Sequence, residues 1–308
     1  MIDPEIRTFL AAWDAAWATL PAGSSPAQRR THFERVAEAM RTPMPAGVTT
    51  RVHTLSCGAR TVRVREFRPA AAGPLPALVY LHGGAFMQGS PETHWDITAD
   101  LAARWGLMAF SVDYALAPEH PFPAAVDDVR TAVEWLFAQA GTLAVDPGRI
   151  GIGGDSAGAN LAAAMTLACR GTACALRAQL LVYPCCDFDM DRPSYRENAE
   201  GPLITTASMP AVNAMYCPNP ADRLNPLAAP LLAESHAGLP PAFIAVAEHD
   251  PLRDSGLAYA EALQAAGVPL VLDRGAGLIH GYLRARSYCA KSREAFTRMG
   301  DWLAARLR

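Results

Sequence analysis

Arg149-Ile150-Gly151-Ile152-Gly153-Gly154-Asp155-Ser156-Ala157-Gly158-Ala159-Asn160-Leu161-Ala162-Ala163-Ala164 is the stretch that decides the fold. Its first part is a short apolar run with the pattern of a strand, and its last part is a run of helix formers. Between them, Gly154-Asp155-Ser156-Ala157-Gly158 fits the pattern G-x-S-x-G. A sharp strand-to-helix turn crowds the backbone around the serine, and glycines two before and two after it remove Cβ clashes. The hydroxyl then stands out of the sheet, above a helix N-terminus whose free N–H groups favour an anion.

Working outward, the serine needs a base, and the base needs a carboxylate to orient it. Glu248-His249-Asp250-Pro251-Leu252-Arg253-Asp254 follows the apolar run 242–247. Asp250, at that run's C-terminal end, is the expected carboxylate, and Asp254 is expected to cap the next helix. His280, in a glycine-loosened loop after 270–273, is the expected base. His249 competes for that role, but it sits beside the carboxylate and is badly placed to bridge it to the serine. The chain order Ser156, Asp250, His280 is one of the known orders of such triads. Upstream, His82-Gly83-Gly84-Ala85-Phe86 follows the run 77–81, and two glycines at a strand end let backbone N–H groups face a reacting oxygen.

The rest of the chain alternates short apolar runs with longer periodic ones. Strands are expected at 61–68, 77–81, 107–112, 150–153, 179–183, 242–247 and 270–273. The first of these alternates, as an antiparallel strand near an edge should, and the runs at 180–183 and 243–247 are apolar throughout, as strands buried on both faces should be. Val126, Val129, Val133, Leu136 and Phe137 share one helix face, as do Phe296, Met299, Leu303 and Leu307. Helices are also expected at 157–170 and 254–266. Strands alternating with helices predict an α/β fold with a mostly parallel sheet covered on both faces. Two stretches interrupt the alternation, 1–48 and 187–225. Insertions at strand C-terminal ends shape ligand sites in such sheets.

Composition narrows the function. The 308 residues are 51% hydrophobic and 19% charged, with a net charge of −3. There is no basic excess, so nucleic acid is not an expected partner. No apolar run reaches the ~20 residues of a membrane helix. Lys291 is the only lysine, which reads as coding bias. The N-terminus lacks the layout of a secretory signal. The seven cysteines are scattered, with no C-x-x-C pair, and free thiols in the cytoplasm are expected. His32, His53, His94 and His236 lack ligand spacing and are expected at the surface, so no metal site is implied.

These residues resemble the bacterial hormone-sensitive-lipase family of esterases. The resemblance rests on His82-Gly83-Gly84, the run Tyr114-Ala115-Leu116-Ala117-Pro118-Glu119-His120-Pro121-Phe122-Pro123-Ala124-Ala125, Gly154 to Gly158, Asp250-Pro251-Leu252-Arg253-Asp254 and His280-Gly281. It implies the α/β-hydrolase fold with an eight-stranded sheet, and one domain, 1–308. Its catalytic core would be 49–186 and 226–308, capped by helical elements from 1–48 and 187–225. It also implies hydrolysis of short- to medium-chain carboxylic esters without a cofactor, and an oxyanion hole of the Gly83, Gly84 and Ala157 N–H groups. Ala85 stands where the family often has a third glycine. Ala85, Phe86, Asp155, Trp13 and Trp17 are the candidate pocket residues, with Asp155 also bracing the turn. Glu119 and His120 are expected to hydrogen-bond the His82 loop.

The chemistry so implied is two-step acyl transfer by Ser156, His280 and Asp250, losing activity as acid protonates the base. An amidase, deformylase or lactone hydrolase could use the same triad. A small-ligand receptor on this fold is the reading from outside enzymology, and it would not need His280. The run Gly151-Ile152-Gly153-Gly154 lacks the G-x-G-x-x-G spacing of dinucleotide binding. The strand 270–273 offers an edge through which two sheets could pair as a homodimer.

Overall fold

Eight strands build one sheet in the order β1-β2-β4-β3-β5-β6-β7-β8. They are β1 (Val48–Cys57), β2 (Arg60–Pro69), β3 (Leu75–Leu81), β4 (Met108–Asp113), β5 (Val145–Asp155), β6 (Gln179–Val182), β7 (Ala242–Ala245) and β8 (Leu270–Asp273) in a computed structural model that describes residues 1–308. β1 and β2 are antiparallel to their neighbours, and every pairing from β4 to β8 is parallel. This is the mostly parallel eight-stranded sheet of the α/β-hydrolase fold, as the motifs implied.

Nine helices accompany it: α1 (Pro4–Trp17), α2 (Pro26–Met40), α3 (Trp95–Trp105), α4 (Ala124–Gln139), α5 (Ala157–Cys169), α6 (Pro193–Glu197), α7 (Met209–Tyr216), α8 (Arg253–Ala265) and α9 (Ala290–Arg306). Strand residues alternate between the two faces of a sheet. Val79 and Leu81 of β3 therefore join Val129 and Val133 of α4, Leu161 of α5 and Leu263 of α8 in one core. Leu78 and Tyr80 join Leu101 of α3, Phe296, Met299 and Leu303 of α9, and Ile6 and Phe9 of α1 in the other.

Outside the two interrupting stretches, two elements were not visible as periodic patterns. β1 is an outer strand with only Leu55 buried, so it carries no apolar alternation to read. Its signal is the run of β-branched residues Val48-Thr49-Thr50, followed by Gly58 at φ +57°, which turns a two-residue hairpin into β2. α3 is closed by Gly106 in the left-handed conformation, a helix stop that the sequence does display. Asp254 does not cap α8. It lies inside the first turn, where its carboxylate accepts the Ser194 N–H and pairs with Arg253. α1 is also more than a cover, since Ile6 and Phe9 are fully buried in the core under α9.

Gly300 lies within α9 where an added Cβ would overlap the Trp105 indole, which Asp301 holds through a 2.8 Å hydrogen bond. Alanine in a helix interior is normally worth about 1 kcal/mol over glycine. Here the overlap reverses the sign, and Gly300→Ala costs about 1–3 kcal/mol. Thermal unfolding tests this, and a raised melting temperature would show that the indole moves away freely.

Candidate active site

Ser156 occupies the turn between β5 and α5 with φ +55° and ψ −120°. A non-glycine residue in that region stores about 1–3 kcal/mol of strain, so the surroundings must enforce it. They do so by close approach of β3. A Cβ at either Gly154 or Gly158 would collide with the Leu81 carbonyl oxygen, so both glycines are sterically required. The Ser156 N–H is held by the Val182 carbonyl at 2.8 Å.

The three expected side chains meet. Ser156 Oγ lies 2.8 Å from His280 Nε2, and His280 Nδ1 lies 2.8 Å from Asp250 Oδ2. The other Asp250 oxygen accepts the Leu252 N–H at 2.8 Å, so the fully buried carboxylate has partners on both sides. His280 follows β8 in a loop where Gly281, at φ +73°, reverses the chain. His249 turns away, with its ring nearest Glu248 at 3.8 Å and its backbone N–H on the Leu278 carbonyl. A hydroxyl, an imidazole and a carboxylate in this series can move a proton from the hydroxyl to the ring.

The glycine loop differs from expectation in one donor. The Gly83 N–H donates to Asp155 Oδ1 at 3.0 Å and is turned into the protein. The N–H groups of Gly84, Ala85 and Ala157 have no acceptor within the chain. Ala85 and Phe86 both take positive φ, 54° and 58°, which turns the loop back at the point where a third glycine is common. Phe86 is not in the pocket. It is buried and stacks on Tyr216 with ring centroids 3.6 Å apart.

Asp155 braces the turn through more partners than its place in the motif suggests. It accepts the Tyr80 hydroxyl at 2.8 Å, the Gly83 N–H and the Tyr183 hydroxyl at 3.3 Å. His94 Nε2 lies 3.3 Å from it, and Arg284 meets that same nitrogen at 2.8 Å. Burial opposes charge on Asp155, but neighbouring His94, the Arg284 guanidinium and the Tyr80 hydroxyl hold its pKa well below the usual carboxylate range. His94 is thus fully buried rather than at the surface, and His236 is buried too, against the Pro230 carbonyl. His82 is buried against the Tyr114 ring, and burial together with nearby His94 lowers its pKa to about 3. Tyr114, not Glu119 or His120, hydrogen-bonds the His82 carbonyl. Glu119 pairs instead with Arg30 of α2, which also binds the Met87 and Ala117 carbonyls.

A cleft of about 420 Å³ opens at Ser156 and His280, bounded by Trp13 and Phe33 on one side and Leu203, Ile204 and Met215 on another. Ala85, Asp155 and Trp13 line it as expected. Trp17 does not, and packs behind Trp13 on His32 and Phe33. Phe33, Leu203, Arg29 and Arg284 also reach this wall, and no spacing in the sequence links them to the motifs.

A family model described as alpha/beta hydrolase fold matches residues 78–284. The chain belongs to the α/β-hydrolase family. It is 42% identical over 219 residues to the carboxylesterase NlhH of Mycobacterium tuberculosis, covering 70% of this chain and 69% of that one. It is 36% identical over 252 residues to the ethyl acetate hydrolase of Pseudomonas putida, covering 80% and 79%. Among solved structures, the Pyrobaculum calidifontis esterase superposes with a TM-score of 0.89 at 34% identity, covering 99% of both chains. The resemblance drawn from the motifs is therefore borne out for this α/β-hydrolase family member.

His82 makes stability depend on pH. Its pKa falls from the ordinary 6.5 to about 3 on folding, so the folded state resists protonation. Its contribution is full above pH 6.5 and is lost as the pH falls toward 3, at up to about 1.4 kcal/mol per pH unit. Urea unfolding at pH 7 and pH 4 should show a smaller acid loss in His82→Gln than in the unmodified protein. Equal losses would contradict a buried neutral His82.

Proposed function

We propose that this carboxylic-ester hydrolase works through an acyl-enzyme on Ser156 and takes short- to medium-chain esters. The observation that carries the reading is the unbroken series Ser156–His280–Asp250, with both links at 2.8 Å, at the floor of the cleft. Ser156 attacks the ester carbonyl while His280 takes its proton, and Asp250 orients the imidazole and stabilises its cation. The developing oxyanion sits on the N–H groups of Gly84, Ala85 and Ala157, the donors left free because Asp155 occupies that of Gly83. Losing one such donor costs about 100–1,000-fold in rate. His280 then protonates the leaving alcohol, and water enters for the second half of the cycle.

α1, α2 and the 187–225 insertion form a cap over this site, and the aromatic and aliphatic side chains they supply suit an acyl chain of modest length. The Pseudomonas putida relative is named for ethyl acetate, an ester of that kind. All seven cysteines are unpaired, which suits the reducing cytoplasm, and no helix is long and apolar enough to cross a membrane. β8 leaves a strand edge with Val271 exposed, and two copies pair there in the homodimer we envisage.

A fluorophosphonate should label the enzyme and fail to label Ser156→Ala, whose kcat on p-nitrophenyl butyrate should fall by at least about 10⁴-fold. Undiminished labelling of that variant would remove Ser156 as nucleophile. Across p-nitrophenyl esters from acetyl to palmitoyl, kcat/KM should peak at or below octanoyl. A palmitoyl maximum would overturn the chain-length reading, and equal rates on matched amides would make the enzyme an amidase.

A further inference from the structure

The cleft carries two guanidinium groups against one carboxylate. Arg29 of α2 and Arg284, four residues after His280, both line it, and the only carboxylate on its wall is Asp155. Asp155 is buried, its oxygens accept from Tyr80, Gly83 and Tyr183, and its single charge offsets at most one of the two guanidinium groups. The acids on the elements that pack here face elsewhere, since Glu34 accepts from the Ser90 hydroxyl and Glu119 pairs with Arg30.

Arg284 is tethered to the protein and Arg29 is not, and both keep donors to spare. A guanidinium has five N–H donors and never gives up its charge. Arg284 spends one on the Thr93 carbonyl at 3.0 Å and one on His94 Nε2 at 2.8 Å, while its plane sits 4.6 Å from the Phe33 ring centroid. The side chain of Arg29 has no hydrogen bond or ion pair with the protein, and lies 5.4 Å from the centroid of Trp17. Trp17 in turn packs on Trp13 and Phe33, with centroids 5.8 Å from each. The wall is thus an aromatic cluster with a cation on either side of it, in a site otherwise lined mainly by apolar groups. Its surplus is donors and positive charge, and a carboxylate is the small group that supplies acceptors and negative charge together.

We propose that the preferred substrate is an ester bearing a second, free carboxylate, such as a monoester of an aliphatic dicarboxylic acid, which Arg29 and Arg284 hold while Ser156 attacks the ester. This rests on the esterase reading above and adds the chemical class of the acyl chain. A partly desolvated ion pair of this kind supplies about 10-fold or more in selectivity. The net charge of −3 over the whole chain hides this local excess.

The test compares monoethyl glutarate, adipate and suberate with ethyl alkanoates of the same chain length, by ethanol release. At low salt, kcat/KM for at least one monoester should exceed that of its neutral partner about 10-fold, and the ratio should fall as KCl is added. The ratio does not depend on the fraction of enzyme that is folded, and it should move toward one in Arg29→Gln and Arg284→Gln. Neutral esters turned over as fast or faster at every length would overturn the proposal and leave the esterase reading standing, as would a ratio unchanged in both variants. Failure on all the esters would overturn the esterase reading, and this proposal with it. Independently of turnover, monoethyl adipate should raise the melting temperature of Ser156→Ala more than ethyl hexanoate does, and an equal shift would count against the carboxylate site.

Discussion

The close approach of the end of β3 to the turn between β5 and α5 governs everything at the site. The Leu81 carbonyl fills the space that a side chain at 154 or 158 would need. That contact forces Ser156 into its strained conformation, and it also brings the loop after β3 beside Asp155. Asp155 then captures the Gly83 N–H, so the neighbour of Ser156 fixes the loop that carries the free Gly84 and Ala85 N–H groups. The serine and the donors are two parts of one packed unit. A shift of a few tenths of an ångström in β3 would be felt by both, because close-packed interiors do not absorb such displacements locally.

The same unit explains what could be seen in the sequence and what could not. Ser156, Asp250 and His280 were legible because each sits in a short motif just past a strand whose apolar pattern is strong. The α/β alternation was legible for the same reason. β1 was hidden because an edge strand buries only Leu55 and so lacks the pattern that betrays the others. Gly83 was misassigned because the motif says where N–H groups gather and not which of them is already occupied. That depends on Asp155, 72 residues away, and on the distance across two strands. His94 looked like a surface histidine because it belongs to no motif, and its burial follows from Tyr80, His82 and Arg284 converging from separate elements.

The N-terminal segment shows a second limit of local reading. In it Phe9, Leu10, Trp13 and Trp17 fall at helical spacing, and the resemblance made the segment part of a cap. Spacing cannot say that one helix serves two purposes. Ile6 and Phe9 are buried in the core under α9, whereas Trp13, one and two turns further on, reaches the cleft. α1 is anchored in the core at one end and lines the cleft at the other, so the wall it contributes is held by the core itself.

Arg284 faces two ways in the same sense. Through His94 it bears on Asp155 and so on the loop after β3, and through its remaining N–H groups it faces the cleft. Any change there alters the electrostatics of the Ser156 turn together with those of the cleft wall. Arg29 has no such double attachment, because it touches only Trp17 and the cleft. The charge on the cleft wall is therefore tied to the packing around Ser156 at Arg284 and free of it at Arg29. That position lies on α2, in the segment before the first strand, where substitutions leave the packed contact between β3 and the Ser156 turn undisturbed.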